Sequence, residues 1–275
     1  MEPGCCENIR VLDYNGGMDK PLITSSSNPL VKQARSLRQR KARQESGLFL
    51  IEGIHHVGEA LEAKWDVESV LYAPDLLTSN FARDLIARLG TKPQPVSAQV
   101  MESLADKENP QGIVAIVHQK ETHLSDLRSP KTCVALVSPQ DPGNVGTILR
   151  TMDAVGTDTL FLLDGGVDVY HPTAVRSSMG TLFWKLIVHA TFDEFTFWAR
   201  AKKIRIIGTS AHADVDYRTL VPKTPWVLML GNEQKGLSQA QTKVCDVTVS
   251  LPMKGRVSSL NLSVAAGVLL YSLNG

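Results

Sequence analysis

Gly231-Asn232-Glu233-Gln234-Lys235-Gly236-Leu237-Ser238 and, a short interval later, Leu251-Pro252-Met253-Lys254-Gly255-Arg256-Val257-Ser258-Ser259-Leu260-Asn261-Leu262-Ser263-Val264-Ala265-Ala266-Gly267 form the stretch around which this chain is organised. The apolar run Trp226–Leu230 reads as a strand that stops at Gly231, where a missing side chain frees the backbone for close approach of a ligand, and Glu233 sits in a tight turn before Gly236. A second strand-like run, residues 247–251, stops at Pro252. Ser258 and Ser259 are then good caps for an apolar helix over residues 260–273. Either turn alone reads as a plain connection, with Asn261 merely capping a helix. Together, two strand ends and a helix N-terminus converge, and that convergence is site-like.

Working outward, the chain has 275 residues, 43% of them hydrophobic, which is enough for one or two ordinary cores. No apolar run approaches the roughly 20 residues that span a bilayer. The first twenty residues carry Glu2, Glu7, Asp13 and Asp19 against Arg10 and Lys20, a pattern of neither a signal nor a transit peptide, so a disordered tail over 1–20 is expected, with Met18 an alternative start. Cys5, Cys6, Cys133 and Cys245 show neither zinc-ligand nor disulfide-framework spacing, so no metal is expected and the reducing cytoplasm is the default compartment. With a formal net charge of +1, any attraction for nucleic acid has to come from a local patch.

The N-terminal part reads as a small layered α/β domain. Asn28 and Pro29 start a helix of about four turns that Gly47 closes. Leu30, Ala34 and Leu37 mark its apolar face, and Lys32, Arg35, Arg38, Arg40, Lys41 and Arg43 precede its first acid, Glu45. Such a run is either a solvated face or a phosphate-binding surface, and Lys32, Arg35, Arg38 and Arg43 are the candidate RNA contacts if RNA is the partner. Strand 48–51, helix 54–63, strand Val67–Tyr72, helix 79–89, a helix capped by Ser97 and strand 113–117 follow. His55 and His56 diverge on a helix and have no third ligand nearby, which favours a structural role. Polar residues 118–130 read as a linker.

Beyond it, strand 133–138, helix 144–155, strands Thr159–Leu163 and 186–189, helix 193–203 and strand 204–209 imply a mostly parallel sheet. No Gly-x-Gly-x-x-Gly follows the first strand and no P-loop occurs, so a nucleotide-like cofactor would be held elsewhere. The acid in Leu163-Asp164-Gly165 permits a dinucleotide oxidoreductase reading, which the missing glycine fingerprint argues against.

A third motif lies upstream, in Asp141-Pro142-Gly143-Asn144-Val145-Gly146-Thr147-Ile148-Leu149-Arg150-Thr151. Together with the 231–238 and 251–267 elements, in this order, it resembles the signature motifs of the SpoU, or TrmH-type, RNA 2′-O-ribose methyltransferases. Val175-Arg176-Ser177-Ser178-Met179-Gly180 resembles a further family element, while Met152, Asp153 and Leu251 depart slightly from the usual pattern.

The resemblance implies an α/β chain whose C-terminal domain, 132–275, is a trefoil-knotted (SPOUT-type), mostly parallel sheet. A smaller L30e-like substrate-binding α/β domain, 21–118, would precede it, joined by a linker over 119–131. It implies S-adenosylmethionine held at Thr209, Gly231, Leu251, Met253 and Leu260, and methylation of a ribose 2′-hydroxyl in structured RNA, ribosomal RNA favoured over tRNA. Arg150 is the implied catalytic residue, with Asn144 orienting it or the ribose, and Glu233, Ser259 and Asn261 shaping the pocket. A homodimer is implied as well. A non-catalytic RNA-binding relative would be expected to lose these polar residues, and none is missing.

Overall fold

A computed structural model describes residues 20–89, 93–105, 110–128, 130–211, 213 and 215–274. The expected tail lies outside the described residues, apart from Lys20, as do Cys5 and Cys6.

The first basic segment is two helices rather than one, α1 (Pro29–Ser36) and α2 (Arg40–Ser46). Asn28 caps α1 by accepting from Leu30 N at 2.9 Å, and Gly47 ends α2 at φ 66°. The break between them is made by Arg43, whose Nη1 donates to Leu37 O at 2.8 Å and Arg38 O at 2.9 Å, satisfying carbonyls that a continuous helix would have bonded. Strands β1 (Leu48–Glu52), β2 (Val67–Tyr72), β3 (Gln94–Pro95) and β4 (Ile113–His118) form a sheet in the order β1-β4-β2-β3. Helices α3 (Ile54–Glu62), α4 (Asn80–Arg88) and α5 (Ala98–Leu104) pack beside it, Ser79 and Ser97 capping the last two.

Seven parallel strands make the second sheet, in the order β7-β6-β5-β10-β8-β11-β9: β5 (Thr132–Val137), β6 (Thr159–Leu163), β7 (Leu186–Ala190), β8 (Arg205–Thr209), β9 (Val215–Asp216), β10 (Trp226–Leu230) and β11 (Val247–Ser250). Side chains alternate across it. Val134 and Leu136 of β5 face the core built by α6 (Pro142–Ala154), α7 (Pro172–Ser177) and α10 (Leu262–Asn274), whereas Cys133, Ala135 and Val137 face α8 (Phe192–Ala201). A short α9 (Gln239–Val244) occupies the interval between the two C-terminal motifs.

One core runs through both sheets' helices. Phe49 and Trp65 of the first domain pack against Tyr170 and Phe183 of the second, Phe49–Tyr170 tilted at a ring distance of 4.6 Å and Trp65–Phe183 edge-to-face at 5.2 Å. Trp65 Nε1 donates to Phe183 O at 2.9 Å, and Lys120 lies 4.4 Å over the Trp65 ring. Burial there pushes the Tyr170 hydroxyl up to about 12 and lowers the Lys120 ammonium. Within the segment read from sequence as a linker, Leu127 is buried and Tyr170 Oη donates to Lys120 O at 2.8 Å.

Candidate active site

The C-terminal ends of β8, β10 and β11 open onto a cavity of about 490 Å³. Parallel strands end there with backbone groups that no further ladder pairs, and the next turns supply the walls. Thr209, Gly231, Leu251, Met253 and Leu260 line it, together with Glu233 and Ser259. Residues that sequence reading did not single out also line it, among them Ser210, Val249, Leu262, Ala265 and Leu269. The helical spacing of Leu262, Ala265 and Leu269 was the available signal, because those positions share one face of α10.

Gly231 has a different reason from the one its sequence suggests. A Cβ there would stand 2.1 Å from Gly236 C and 2.3 Å from Leu237 N, so the glycine admits the chain's own returning backbone before any ligand. That return is held by Gly236 N donating to Asn232 O at 2.8 Å, and Asn232 Oδ1 accepts from Gln234 N and Lys235 N at 3.0 and 3.2 Å. Asn232 Nδ2 ties the turn to Ser138 O at 2.9 Å, at the end of β5, where Ser138 has φ 46°.

Glu233 joins the turn to the start of α6. Its carboxylate accepts from Gln140 N at 3.0 and 3.1 Å, Asp141 N at 3.2 Å and Asn144 Nδ2 at 3.4 Å. Asn144, which is buried, accepts in turn from Asn261 Nδ2 at 2.9 Å. Asn261 Oδ1 then receives Ser263 N at 2.9 Å, so Asn261, not Ser258 or Ser259, is the cap of α10, and the helix starts at Leu262. The three motifs therefore share one chain of hydrogen bonds along the cavity rim.

Arg150 stands apart from this chain. It lies six residues beyond Asn144, about 240° round an ideal helix, on the exposed face of α6 with Thr147. Among the described residues it makes no hydrogen bond or ion pair. Asn144 directs its side-chain bonds to Glu233 and Asn261 and makes none to Arg150 among the described residues.

The basic segment is also corrected in part. Arg43 is 1% exposed, and its Nε and Nη2 both reach Asp168 Oδ2 at 2.7 Å, so it is an interior cation and not an RNA contact. Arg38 Nη2 donates to Leu104 O at 2.9 Å and Ala105 O at 2.5 Å, and Arg35 Nη2 to Ser103 Oγ at 3.0 Å, while Lys32 is exposed. Among the described residues no group of three or more His, Cys, Asp or Glu side chains could hold a metal, and no helix is long and apolar enough to cross a membrane.

The SpoU rRNA Methylase family model matches residues 131–271, and an MRM3-like substrate binding domain model matches residues 28–115. The chain belongs to the SpoU rRNA methylase family. It is 34% identical to a 23S rRNA (uridine(2479)-2′-O)-methyltransferase of Streptomyces viridochromogenes, over 90% of each chain. It is 31% identical to the 23S rRNA (guanosine(2553)-2′-O)-methyltransferase RlmP of Bacillus subtilis, over 92% of this chain and 99% of that one. An AdoMet-bound rRNA methyltransferase structure from Sinorhizobium meliloti superposes with a TM-score of 0.83 at 34% identity, covering 92% of this chain and 96% of the other.

The cavity fits that cofactor. Leu230, Leu251, Leu260 and Leu269 offer an apolar lining for a flat base, and the strand-end turns offer backbone groups for its polar edges.

Proposed function

We infer that this chain transfers a methyl group from S-adenosylmethionine to a ribose 2′-hydroxyl of structured RNA, with ribosomal RNA favoured over tRNA. The observation that carries the reading is the Glu233–Asn144–Asn261 hydrogen-bond chain, which locks all three signature motifs around one cofactor-sized cavity. The two curated relatives named above, both 23S rRNA 2′-O-methyltransferases matched over nine-tenths of this chain or more, support ribosomal RNA.

S-adenosylmethionine supplies the methyl group when bound at Thr209, Gly231, Leu251, Met253 and Leu260. Positioning dominates such a transfer, because an in-line approach needs little beyond a partly deprotonated oxygen. Arg150 cannot act as a base at neutral pH, since its guanidinium stays protonated. It holds the RNA phosphate and stabilises the developing alkoxide as a fixed charge, and the proton leaves through phosphate or water. Glu233 and Asn144 position the start of α6, while Ser259 and Asn261 shape the pocket beside the ribose. Lys32 and the free edges of Arg35 and Arg38 meet more distant RNA phosphates. The working unit is a cytoplasmic homodimer that uses no metal. Its substrate-binding unit is 21–118, its linker 119–131 and its methyltransferase unit 132–275. The sheet order, with β10 between β5 and β8, supports a trefoil-knotted path for the last of these.

The test is transfer of a labelled methyl group from S-adenosylmethionine to transcripts of 23S ribosomal RNA and of tRNA, followed by mapping of the methylated ribose. Incorporation confined to tRNA would reassign the substrate. Tight cofactor binding without transfer to either RNA would overturn the enzyme reading.

A further inference from the structure

The loop between β11 and α10 has its two feet in the cavity wall: Met253 on one side, and Ser258, Ser259 and Leu260 on the other. The arc between them, residues 254–257, is exposed and is not part of the wall. A Cβ added at Gly255 would meet nothing within 4 Å. Residues 252–260 make no hydrogen bond among the described residues, so no protein group fixes their backbone. The arc is therefore anchored where the chemistry is and otherwise uncommitted.

Its charge is one-sided. Residues 247–275 contain no Asp or Glu, and their cations are Lys254 and Arg256. Several cations elsewhere are held by acids, Arg43 by Asp168, Arg200 by Asp246, Arg218 by Asp216 and Lys185 by Asp153. Lys254 and Arg256 have no ion pair among the described residues, nor does Lys235 across the cavity. Glu233, the nearest acid in the facing turn, already accepts two backbone N–H groups and an amide. Lys254, Arg256 and Lys235 therefore place three cations without ion-pair partners among the described residues around the cavity mouth, a local positive patch on a chain whose net charge is only +1.

A ribose placed at the mouth of the cavity carries its two flanking phosphates with it, and they must rest on the rim. We propose that the 254–257 arc is a phosphate grip, Lys254 and Arg256 neutralising the RNA backbone beside the target nucleotide. The proposal rests on the RNA methyltransferase reading and adds to it the surface that seats the substrate strand.

The test measures RNA affinity of the full chain for a 23S ribosomal RNA transcript between 50 and 200 mM KCl, with S-adenosylhomocysteine present to prevent turnover. The Lys254→Gln/Arg256→Gln variant is compared with wild type and with the charge-preserving Lys254→Arg/Arg256→Lys variant. Two lost phosphate contacts lower the slope of log K against log salt by roughly 1.4 to 1.8, so the variant loses about ten-fold less affinity than wild type across that range. The charge-preserving variant keeps the wild-type slope, and S-adenosylmethionine affinity by calorimetry stays unchanged in both. A glutamine variant with the wild-type slope overturns the proposal. So does one whose slope is unchanged but whose sedimentation differs from wild type, which assigns the arc to contact with a second copy. A wild-type chain that binds no RNA at all overturns the proposal together with the reading beneath it.

Discussion

Arg150 is an exposed guanidinium on a helix that is otherwise well bonded, and it has no partner among the described residues. A long cationic side chain kept without an internal contact gains nothing for stability, so its removal should leave the fold intact. Arg150→Ala is accordingly expected to keep the wild-type melting temperature and cofactor affinity while turnover falls about a hundred- to a thousand-fold, the usual loss for one transition-state donor. Arg150→Lys separates two mechanisms. A point charge would restore part of the rate, whereas a planar fork gripping phosphate would leave lysine nearly as slow as alanine, and the second outcome is expected. Wild-type turnover in Arg150→Ala would remove the residue from the chemistry. Glu233 should behave differently. Its carboxylate collects N–H donors from Gln140, Asp141 and Asn144, and glutamine would turn an N–H₂ toward some of them. Glu233→Gln should therefore weaken cofactor binding and turnover together, as calorimetry and single-turnover assay can establish.

At the scale of elements, α6 is positioned by what its glycine lacks. A Cβ on Gly146 would fall 2.4 Å from Ala174 O and 2.0 Å from Ser177 Oγ, so the motif glycine is the point where α7 rests on α6. Because the first obstacle includes a backbone carbonyl, the helices must move apart to accept alanine. Gly146→Ala is expected to lose about 1 to 3 kcal/mol of stability through overpacking, visible as a lower thermal midpoint, and an unchanged midpoint would contradict the packing account. Here the sequence was informative in identity and silent in reason. It marked Asn144, Gly146 and Arg150 as one motif, but only the fold shows that they serve an internal hydrogen bond, a helix contact and the solvent side. Strand limits such as Val67–Tyr72, Thr159–Leu163 and Trp226–Leu230 were legible from β-branched and apolar runs closed by turns. The break at residues 37–39 was not, because it depends on Arg43 reaching Asp168, 125 residues away. Helical periodicity and charge count are local signals, and they gave Arg43 to the solvent when a distant carboxylate had claimed it. The start of α10 slipped for a related reason: serine and asparagine are comparable caps, and Asn144 decided among them.

Over the whole molecule, two interfaces decide how the parts work together. The first is internal. Arg43–Asp168 and the Phe49, Trp65, Tyr170 and Phe183 rings join the two domains, so the distance from the substrate-binding domain to the cavity is set by packing. Asp168→Asn would leave Arg43 as a buried charge without its counter-ion, a change that typically costs about 3 to 5 kcal/mol, and a drop in thermal midpoint of order 10 °C is expected. Replacing both residues by apolar ones should recover most of that loss, and a double variant no better than the single one would argue against the ion pair as the cause. The second interface is external. α10 buries Ala266, Leu269, Leu270 and Leu273 inside its own domain, yet Val264, Val268 and Tyr271, at spacings of four and three, are 51, 37 and 61% exposed. The homodimer proposed above would cover that second side, its two copies of the stripe meeting across a two-fold axis. The same helix lines the cofactor cavity through Leu262, Ala265 and Leu269 and packs along α6, which carries Arg150, so contact on its outer side reaches both halves of the site. Val268→Glu is therefore expected to sediment as a monomer and to lose turnover in proportion, while its thermal midpoint falls little. A variant that is monomeric by sedimentation and fully active at the same concentration would show that one copy suffices and that the outer stripe of α10 serves something other than catalysis.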